Sequence, residues 1–263
     1  MKRFFALLLC STLAFTSCGE DLDDNLVLKT EAETTFNFTH NWDETEVTSA
    51  SFDSIQYLNQ NGDSLSIEKL RYLISDITFS REGEEDIVLD IYNLVDVTNS
   101  TNLSFSPETK IPLGQYTNVS FTYGFDDEDN IENAYPDLNS ENWEVPNIQM
   151  FGNIGGYHYM QLEGRFINNA DEETTYAYHN IRAADGMATP ITTQDTSIQV
   201  NLGAITITND ITFQVKMNIA EWFQNTYQWD LNTWNSSLMG NFDAQLRMNE
   251  NGQNVFSLGT VTQ

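Results

Sequence analysis

The stretch TTFNFTHNW, residues 34–42, alternates large side chains with small polar ones. Successive side chains of a β-strand point to opposite faces, so this period of two predicts a strand with one buried face. Phe36, Phe38 and Trp42 would lie on that face, and His40 would lie there with them. The stretch therefore predicts a strand and an inward-facing imidazole.

The same alternation recurs in short segments rich in Val, Ile, Thr, Phe and Tyr and separated by Gly, Asn, Asp and Pro. It is typical of an all-β protein, here an antiparallel β-sandwich or barrel-like single domain with long loops. The other predicted strands are 54–58, 65–80, 87–97, 116–125, 156–166, 174–179, 197–207 and 211–218. A short helix is expected near 220–227, and a long irregular excursion is expected over 131–153.

The N-terminus has the order of a bacterial lipoprotein signal peptide: two basic residues, an apolar run, then small residues before Cys18. The apolar run of about a dozen residues is too short to span a bilayer, which needs roughly 20. We predict a signal peptide at 1–17, an acidic tether at 18–33 that begins with a lipidated Cys18, and a β domain at 34–263. Ordinary signal cleavage that leaves Cys18 free is the alternative.

The chain is strongly acidic, with 39 acidic and 11 basic residues and a formal net charge of −28. Removal of the signal peptide takes Lys2 and Arg3, which leaves 9 basic against 39 acidic residues, or −30. Such a charge repels phosphate backbones, so nucleic acid is excluded as a partner. The predicted anchor implies a membrane attachment in the cell envelope, on the periplasmic or cell-surface side.

Catalytic motifs are missing from the sequence: it has no nucleophile elbow, HExxH helix or phosphate-binding glycine loop. Lipidation of Cys18 would leave the mature chain without a thiol, because Cys10 departs with the signal peptide. With 39 acidic residues a carboxylate pair can always be chosen, so such a pair is no evidence for hydrolysis. We predict that the protein is not an enzyme.

The three histidines, His40, His158 and His179, all lie in strand-like aromatic segments. Alternation places His158 on the face of Met160, with Glu163 on the opposite face. A buried imidazole needs partners for its nitrogens, because an unsatisfied buried polar group costs roughly 1 to 3 kcal/mol. Two hypotheses follow: three separate, hydrogen-bonded core histidines, or three imidazoles that converge on one metal ion.

Five sequence blocks carry a more specific signal. They are IEKLRYLISDITF (67–79), YNLVD (92–96), GQYTNVSFTYGFDDEDN (114–130), GGYHYMQLEG (155–164) and YHN (178–180). In order and spacing they resemble the MbnP-like family of exported copper-binding proteins, over nearly the whole chain from Thr34. The resemblance implies a β-rich domain that binds copper through His40, His158 and His179, without catalysis, and a haem protein as a partner.

One segment departs from the family pattern. Many relatives have Met-x-Trp-x-Trp before Gly-Tyr, whereas this chain has Met-Phe-Gly-Asn at 150–153 and no tryptophan between 144 and 221. A tryptophan-derived ligand is therefore not expected there. The thioethers of Met160 and Met239 are alternative soft ligands for copper, although methionine in a β core more often fills space.

A second metal is suggested by the loop residues Asp126, Asp127, Asp129 and Asn130. Their hard oxygen atoms favour calcium. The run lacks the glycine and the distal glutamate of an EF-hand loop, so a solvated acidic turn is the alternative.

These observations predict an exported, lipid-anchored copper carrier or scavenger. The rival is a surface binding or adhesion lipoprotein whose aromatic residues, 12% of the chain, face a glycan or protein partner. The placement of the histidines separates the two hypotheses. Imidazoles more than about 10 Å apart cannot share one ion at a ligand distance of roughly 2 Å.

Overall fold

The structure, a computed structural model, describes residues 29–149 and 154–263. Two β-sheets dominate it, which confirms the all-β prediction. The strands are β1 Glu31–Ala32, β2 Thr34–Trp42, β3 Thr45–Glu46, β4 Tyr57–Leu58, β5 Ser64–Leu65, β6 Lys69–Ser80, β7 Ile87–Asp96, β8 Ser104–Phe105, β9 Ile111–Pro112, β10 Gly114–Tyr123, β11 Met160–Ile167, β12 Glu173–Asn180, β13 Ala183–Asp185, β14 Thr192–Gln194, β15 Ile198–Ile207, β16 Ile211–Asn218 and β17 Phe256–Thr262. The α-helices are α1 Pro136–Ser140 and α2 Phe242–Gly252, and short 3-10 helices lie at Ser49–Ser51 and Ile219–Phe223.

The larger sheet has eight strands in the order β15-β10-β6-β11-β5-β4, with β7 also paired to β6 and β12 also paired to β11. The smaller sheet has five strands in the order β17-β16-β2-β3, with β8 beside β2. Strands β2 and β16 run parallel, and the other strand pairs in the described residues are antiparallel. The antiparallel prediction therefore holds for all but one pairing in these two sheets.

The core lies between the two sheets and is built from alternate residues of each strand. In β2, Phe36 and Phe38 are buried, while the alternate residues of the strand are half-exposed. The Phe36 ring stacks on Phe213 at 4.9 Å, and the edge of Phe38 meets Phe121 of the larger sheet at 6.4 Å. Each such ring contributes roughly 1.5 to 3 kcal/mol through burial. The alternation in residues 34–42 was thus a sound guide to the strand and its buried face.

A second, smaller apolar cluster covers the outer face of the larger sheet. It arises because β6 directs Tyr72 and Ile74 into the sandwich but Leu73 outward. The cluster consists of Leu73, Leu94, Phe125, Leu138, Trp143 and Tyr157. The predicted excursion between β10 and β11 therefore packs against the outer face of the sheet.

The helices differ from the prediction in one respect. The short helix expected near 220–227 is present as the 3-10 helix Ile219–Phe223, but α2 was not predicted. The α2 sequence, FDAQLRMNENG, is mostly polar. Its buried face includes Gln245 and Asn251, whose amides bond to backbone carbonyls of other segments. Tertiary hydrogen bonds therefore stabilise a helix that apolar periodicity does not reveal.

The folded domain begins before the predicted boundary at Thr34. Glu31–Ala32 form β1 and pair with β9, and Ala32 is fully buried. The last residues of the predicted tether are thus part of the fold, because a buried side chain holds them there. The predicted signal peptide and Cys18 lie outside the described residues. Across 29–149 and 154–263, no helix has both the length and the apolarity that a membrane crossing requires.

Candidate metal centre

His158 and His179 meet on the outer face of the larger sheet. His179 lies on β12, and His158 lies two residues before β11, the strand that pairs with β12. The two ring centroids are 5.3 Å apart, and the ring planes are nearly perpendicular at 83°. Of the three predicted ligands, the structure brings these two together.

The position of His158 differs from the simple alternation predicted for its strand. Tyr159 and Met160 are consecutive, yet both belong to the interior core. This irregularity precedes the regular part of β11 and shifts the alternation of inward-facing and outward-facing side chains by one residue. His158 therefore faces outward, on the same side of the sheet as Glu163, and the predicted placement of these two residues on opposite faces is wrong.

One nitrogen of His158 is bound by the protein and the other is free. The Nδ1 atom lies 3.0 Å from the carbonyl oxygen of Trp143. Because a carbonyl can only accept, Nδ1 carries the proton and Nε2 presents a lone pair. Nε2 is buried and has no hydrogen-bond partner. Burial, followed by the proximity of His179, lowers the pKa of His158 to about 3, so the ring is neutral at pH 7.

His179 is held through the opposite ring nitrogen. Its Nε2 atom lies 2.8 Å from Oε1 of Glu163, and the same oxygen accepts from Nζ of Lys69 at 2.9 Å. The hydrogen bond from His179 is the main reason that the pKa of Glu163 falls to about 2, and Lys69 adds to this effect against the opposing influence of burial. An ionised Glu163 accepts the Nε2 proton, which leaves Nδ1 as the basic nitrogen of His179.

The excursion supplies one wall of this site. The fully buried Trp143 ring lies 5.6 Å from the His158 ring, and the guanidinium of Arg71 lies over the indole at 5.2 Å. Arg71 is itself held by Asp96 at 3.2 Å and by Glu141 at 2.9 Å. The wall therefore fixes the backbone carbonyl that orients His158.

His40 lies elsewhere, in the interior of the sandwich. Its Nε2 atom is 3.0 Å from the hydroxyl of Tyr72, an inward-facing residue of β6. The larger sheet thus separates His40 from His158 and His179, and one ion cannot bind all three. Burial lowers the pKa of His40 to about 4. For His40, the hypothesis of a hydrogen-bonded core histidine describes what is observed.

Met160 also lies apart from the histidine pair, on the other face of the sheet. Met160 is fully buried on the inner face of β11, where it packs in the core. Met239 lies in the loop before α2.

The residues considered for calcium do not converge. Asp126 accepts from backbone amides of its own turn, and Asp127 forms an ion pair with Arg182 at 2.9 Å. The side chain of Asn130 donates to the Tyr159 hydroxyl and accepts from the Tyr157 amide. These contacts show a structural turn.

Asp129 instead joins Asp76 and Asp90, with one carboxylate oxygen from each within 4.8 Å of the others. These two partners were missed because they lie on β6 and β7, distant in sequence. Burial, together with the neighbouring carboxylates Asp129, Asp126 and Asp90, raises the pKa of Asp76 to about 6, although the hydrogen bond from Ser75 opposes the change. The three carboxylates therefore repel one another, and a bound cation or a proton on one of them would reduce this repulsion.

Comparison with known proteins gives two matches. The family model MbnP matches residues 31–240. The structure of MbnP from Methylosinus trichosporium is similar, with a TM-score of 0.53 and 14% identity over 88% of this chain and 99% of that one, a likeness that extends to the fold alone. No curated protein sequence matches. Since the family model spans well over half of the chain, the protein belongs to the MbnP family.

Proposed function

We propose that this protein is an exported copper carrier or scavenger that holds the ion through Nε2 of His158 and Nδ1 of His179. One observation carries the proposal. The Nε2 lone pair of His158 is buried without a hydrogen-bond partner beside a second imidazole. An unsatisfied buried nitrogen costs roughly 1 to 3 kcal/mol, and a metal ion is a partner that would recover this energy.

The partners of the two rings support a metal site. A metal-binding histidine almost always donates its second ring nitrogen to a carboxylate, a backbone carbonyl or water. His158 donates to the carbonyl of Trp143, and His179 donates to the carboxylate of Glu163. Each imidazole is thus oriented by its donated proton, and its other ring nitrogen is left to bind a metal ion. Imidazole nitrogen suits both copper oxidation states, and the resemblance to copper-binding relatives favours copper over other ions.

The sequence of the N-terminus supports lipidation of Cys18 and a place in the cell envelope. The resemblance supports a haem protein as a partner and a role in binding without catalysis. Metabolic labelling with a palmitate analogue tests the anchor: the wild-type chain should incorporate the label and the Cys18→Ala variant should not.

The copper site is tested with variants that remove one lone pair but keep the existing hydrogen bond. His158→Asn retains a donor near the Nδ1 position, and His179→Gln retains a donor near the Nε2 position. His40→Gln is the matched control, because it also removes a buried histidine. The soluble chain from Gly19, without a histidine tag, is titrated with copper against a chelator of known affinity.

We expect one copper per chain and a loss of affinity of at least about 100-fold in His158→Asn and in His179→Gln, since each removes a ligand. The His40→Gln variant should bind like the wild type. Equal affinity in all four proteins, or no copper bound by the wild type at micromolar concentration, would reject the proposal.

A second candidate function rests on a different observation. A cleft of about 560 Å³ is lined by Tyr92, Tyr135 and Phe105 together with the carboxylates of Asp90 and Glu108. Aromatic faces beside polar groups are typical of recognition surfaces, so this cleft supports the hypothesis of a surface binding lipoprotein. Screening of glycans and envelope proteins with the wild type and Tyr135→Ala would test it, and binding that is unchanged in the variant would exclude this cleft.

A further inference from the structure

Glu163 connects three strands on the outer face of the larger sheet. It lies on β11 opposite Lys69 of β6, and on the other side it lies next to β12, which carries His179. A single oxygen, Oε1, accepts hydrogen bonds from Nζ of Lys69 at 2.9 Å and from Nε2 of His179 at 2.8 Å. The pairing of the strands therefore places Lys69 on one side of the Glu163 carboxylate and His179 on the other.

This contact determines which nitrogen of His179 carries the proton. Without a partner, a neutral imidazole can protonate either nitrogen and can rotate its ring. An ionised carboxylate accepts but cannot donate, so it selects the form with the proton on Nε2. Lys69 holds the carboxylate in position and adds a positive charge that favours its ionised form. The lone pair of His179 is then on Nδ1, the ring nitrogen closer to the backbone.

His158 is held in the other form, because the carbonyl of Trp143 binds its Nδ1 proton. The pair is therefore asymmetric, with Nε2 basic on one ring and Nδ1 basic on the other. His158 lies just before β11 and His179 lies within β12, so the two rings occupy different positions relative to their strands. Different acceptors on two chain segments produce this difference.

We infer that Glu163, braced by Lys69, is a positioning residue that sets the tautomer of His179 so that Nδ1 faces the metal. The inference rests on the proposed function for the identity of the ligand. Glu163 contacts His179 and does not itself bind the ion. In the metal-free protein it selects which nitrogen of His179 carries the proton, and it fixes the orientation of the ring.

The first test needs no metal. Long-range 15N–1H NMR spectra of the metal-free chain report which nitrogen of each histidine is protonated. The wild type should show His179 protonated on Nε2. Glu163→Met keeps the length of the side chain but removes the acceptor, so His179 should become a mixture of both tautomers. Glu163→Gln can place an amide oxygen at the same point, so it should retain the wild-type tautomer.

The second test adds copper. Loss of a residue that orients a ligand typically lowers metal affinity by 10- to 100-fold, so Glu163→Met should lose about that much and Glu163→Gln clearly less. Pulsed EPR of the Cu(II) form should show the uncoordinated nitrogen of His179 changing environment in Glu163→Met. Glu173→Gln is the matched control, because Glu173 is a carboxylate of β12 that pairs with Arg165 and touches neither histidine.

The outcomes separate the inference from the proposed function. An unchanged His179 tautomer in Glu163→Met would overturn the inference, and so would a changed tautomer with wild-type copper affinity. A wild type that binds no copper would overturn the proposed function. In that case the metal-free spectra would still confirm or overturn the control that Glu163 has over the tautomer.

Discussion

His40 provides a quantitative test of the interior of the sandwich. Only 5% of its surface is exposed, and burial lowers its pKa from 6.5 to about 4. In the unfolded chain the imidazole returns to its ordinary pKa, so between pH 6.5 and pH 4 the unfolded state binds more protons than the folded state. Stability from this group is therefore fully present above pH 6.5 and is lost progressively as the pH falls towards 4.

The magnitude follows from the two pKa values. A tenfold difference in proton affinity corresponds to about 1.4 kcal/mol, so the full loss below pH 4 is about 3 kcal/mol. Between pH 7 and pH 5 the loss is about 2 kcal/mol. The His40→Gln variant cannot titrate, and its amide can still reach the Tyr72 hydroxyl.

The free energy of unfolding is measured by urea denaturation with a chelator present, at pH 7 and at pH 5. The wild type should lose about 2 kcal/mol more than His40→Gln between these two pH values. Tyr72→Phe serves as the control: it removes the hydrogen bond but leaves the ring buried, so its pH dependence should follow the wild type. A difference between wild type and His40→Gln that is the same at both pH values would refute the reasoning.

Three further predictions test other parts of the fold. Asp76→Asn should raise the free energy of unfolding at pH 7 by about 1 to 2 kcal/mol, after allowance for partial exposure, because it removes a carboxylate whose pKa is raised to about 6. In urea denaturation at pH 3.5 this gain should vanish, since the wild-type carboxylate is then protonated. Gly124→Ala should lower the free energy of unfolding by about 3 kcal/mol or more, since φ is +84° and a Cβ would lie 2.5 Å from the Tyr159 ring. Gly62→Ala, which has open space around it, should lower it by only about 1 kcal/mol, and thermal denaturation compares the two variants. Asp63→Ala should cost about 3 to 5 kcal/mol, because four donors lose their buried acceptor, and an unchanged melting temperature would contradict this.

Some elements of the fold were predictable and others were not. The strands were predictable because burial on one face of a pleated sheet leaves a period of two in the sequence. Helix α2 was not predictable from its apolar pattern, since polar side chains such as Gln245 hold it in place. A local signal was Asn241, whose side chain caps the helix by accepting from the Ala244 amide.

Part of the candidate site was likewise predictable from the sequence, and part was not. Composition indicated that three histidines were the available imidazole ligands, and two of them do meet. The phase shift at Tyr159 decides that His158 faces outward, and sequence alternation cannot reveal such an irregularity. For the same reason alternation predicts Glu163 on the face opposite His158, whereas the structure places both residues on the outer face.

By itself the sequence determined the class of fold, the acidic surface and the family, because these depend on composition, local periodicity and the order of blocks along the chain. Only the tertiary structure decided that His40 is a core residue hydrogen-bonded to Tyr72, while His158 and His179 form a pair on the other side of the sheet. The physical reason is that a strand pattern states which residues share a face of one strand. Which faces of different strands meet depends on register, irregularities and the packing of two sheets.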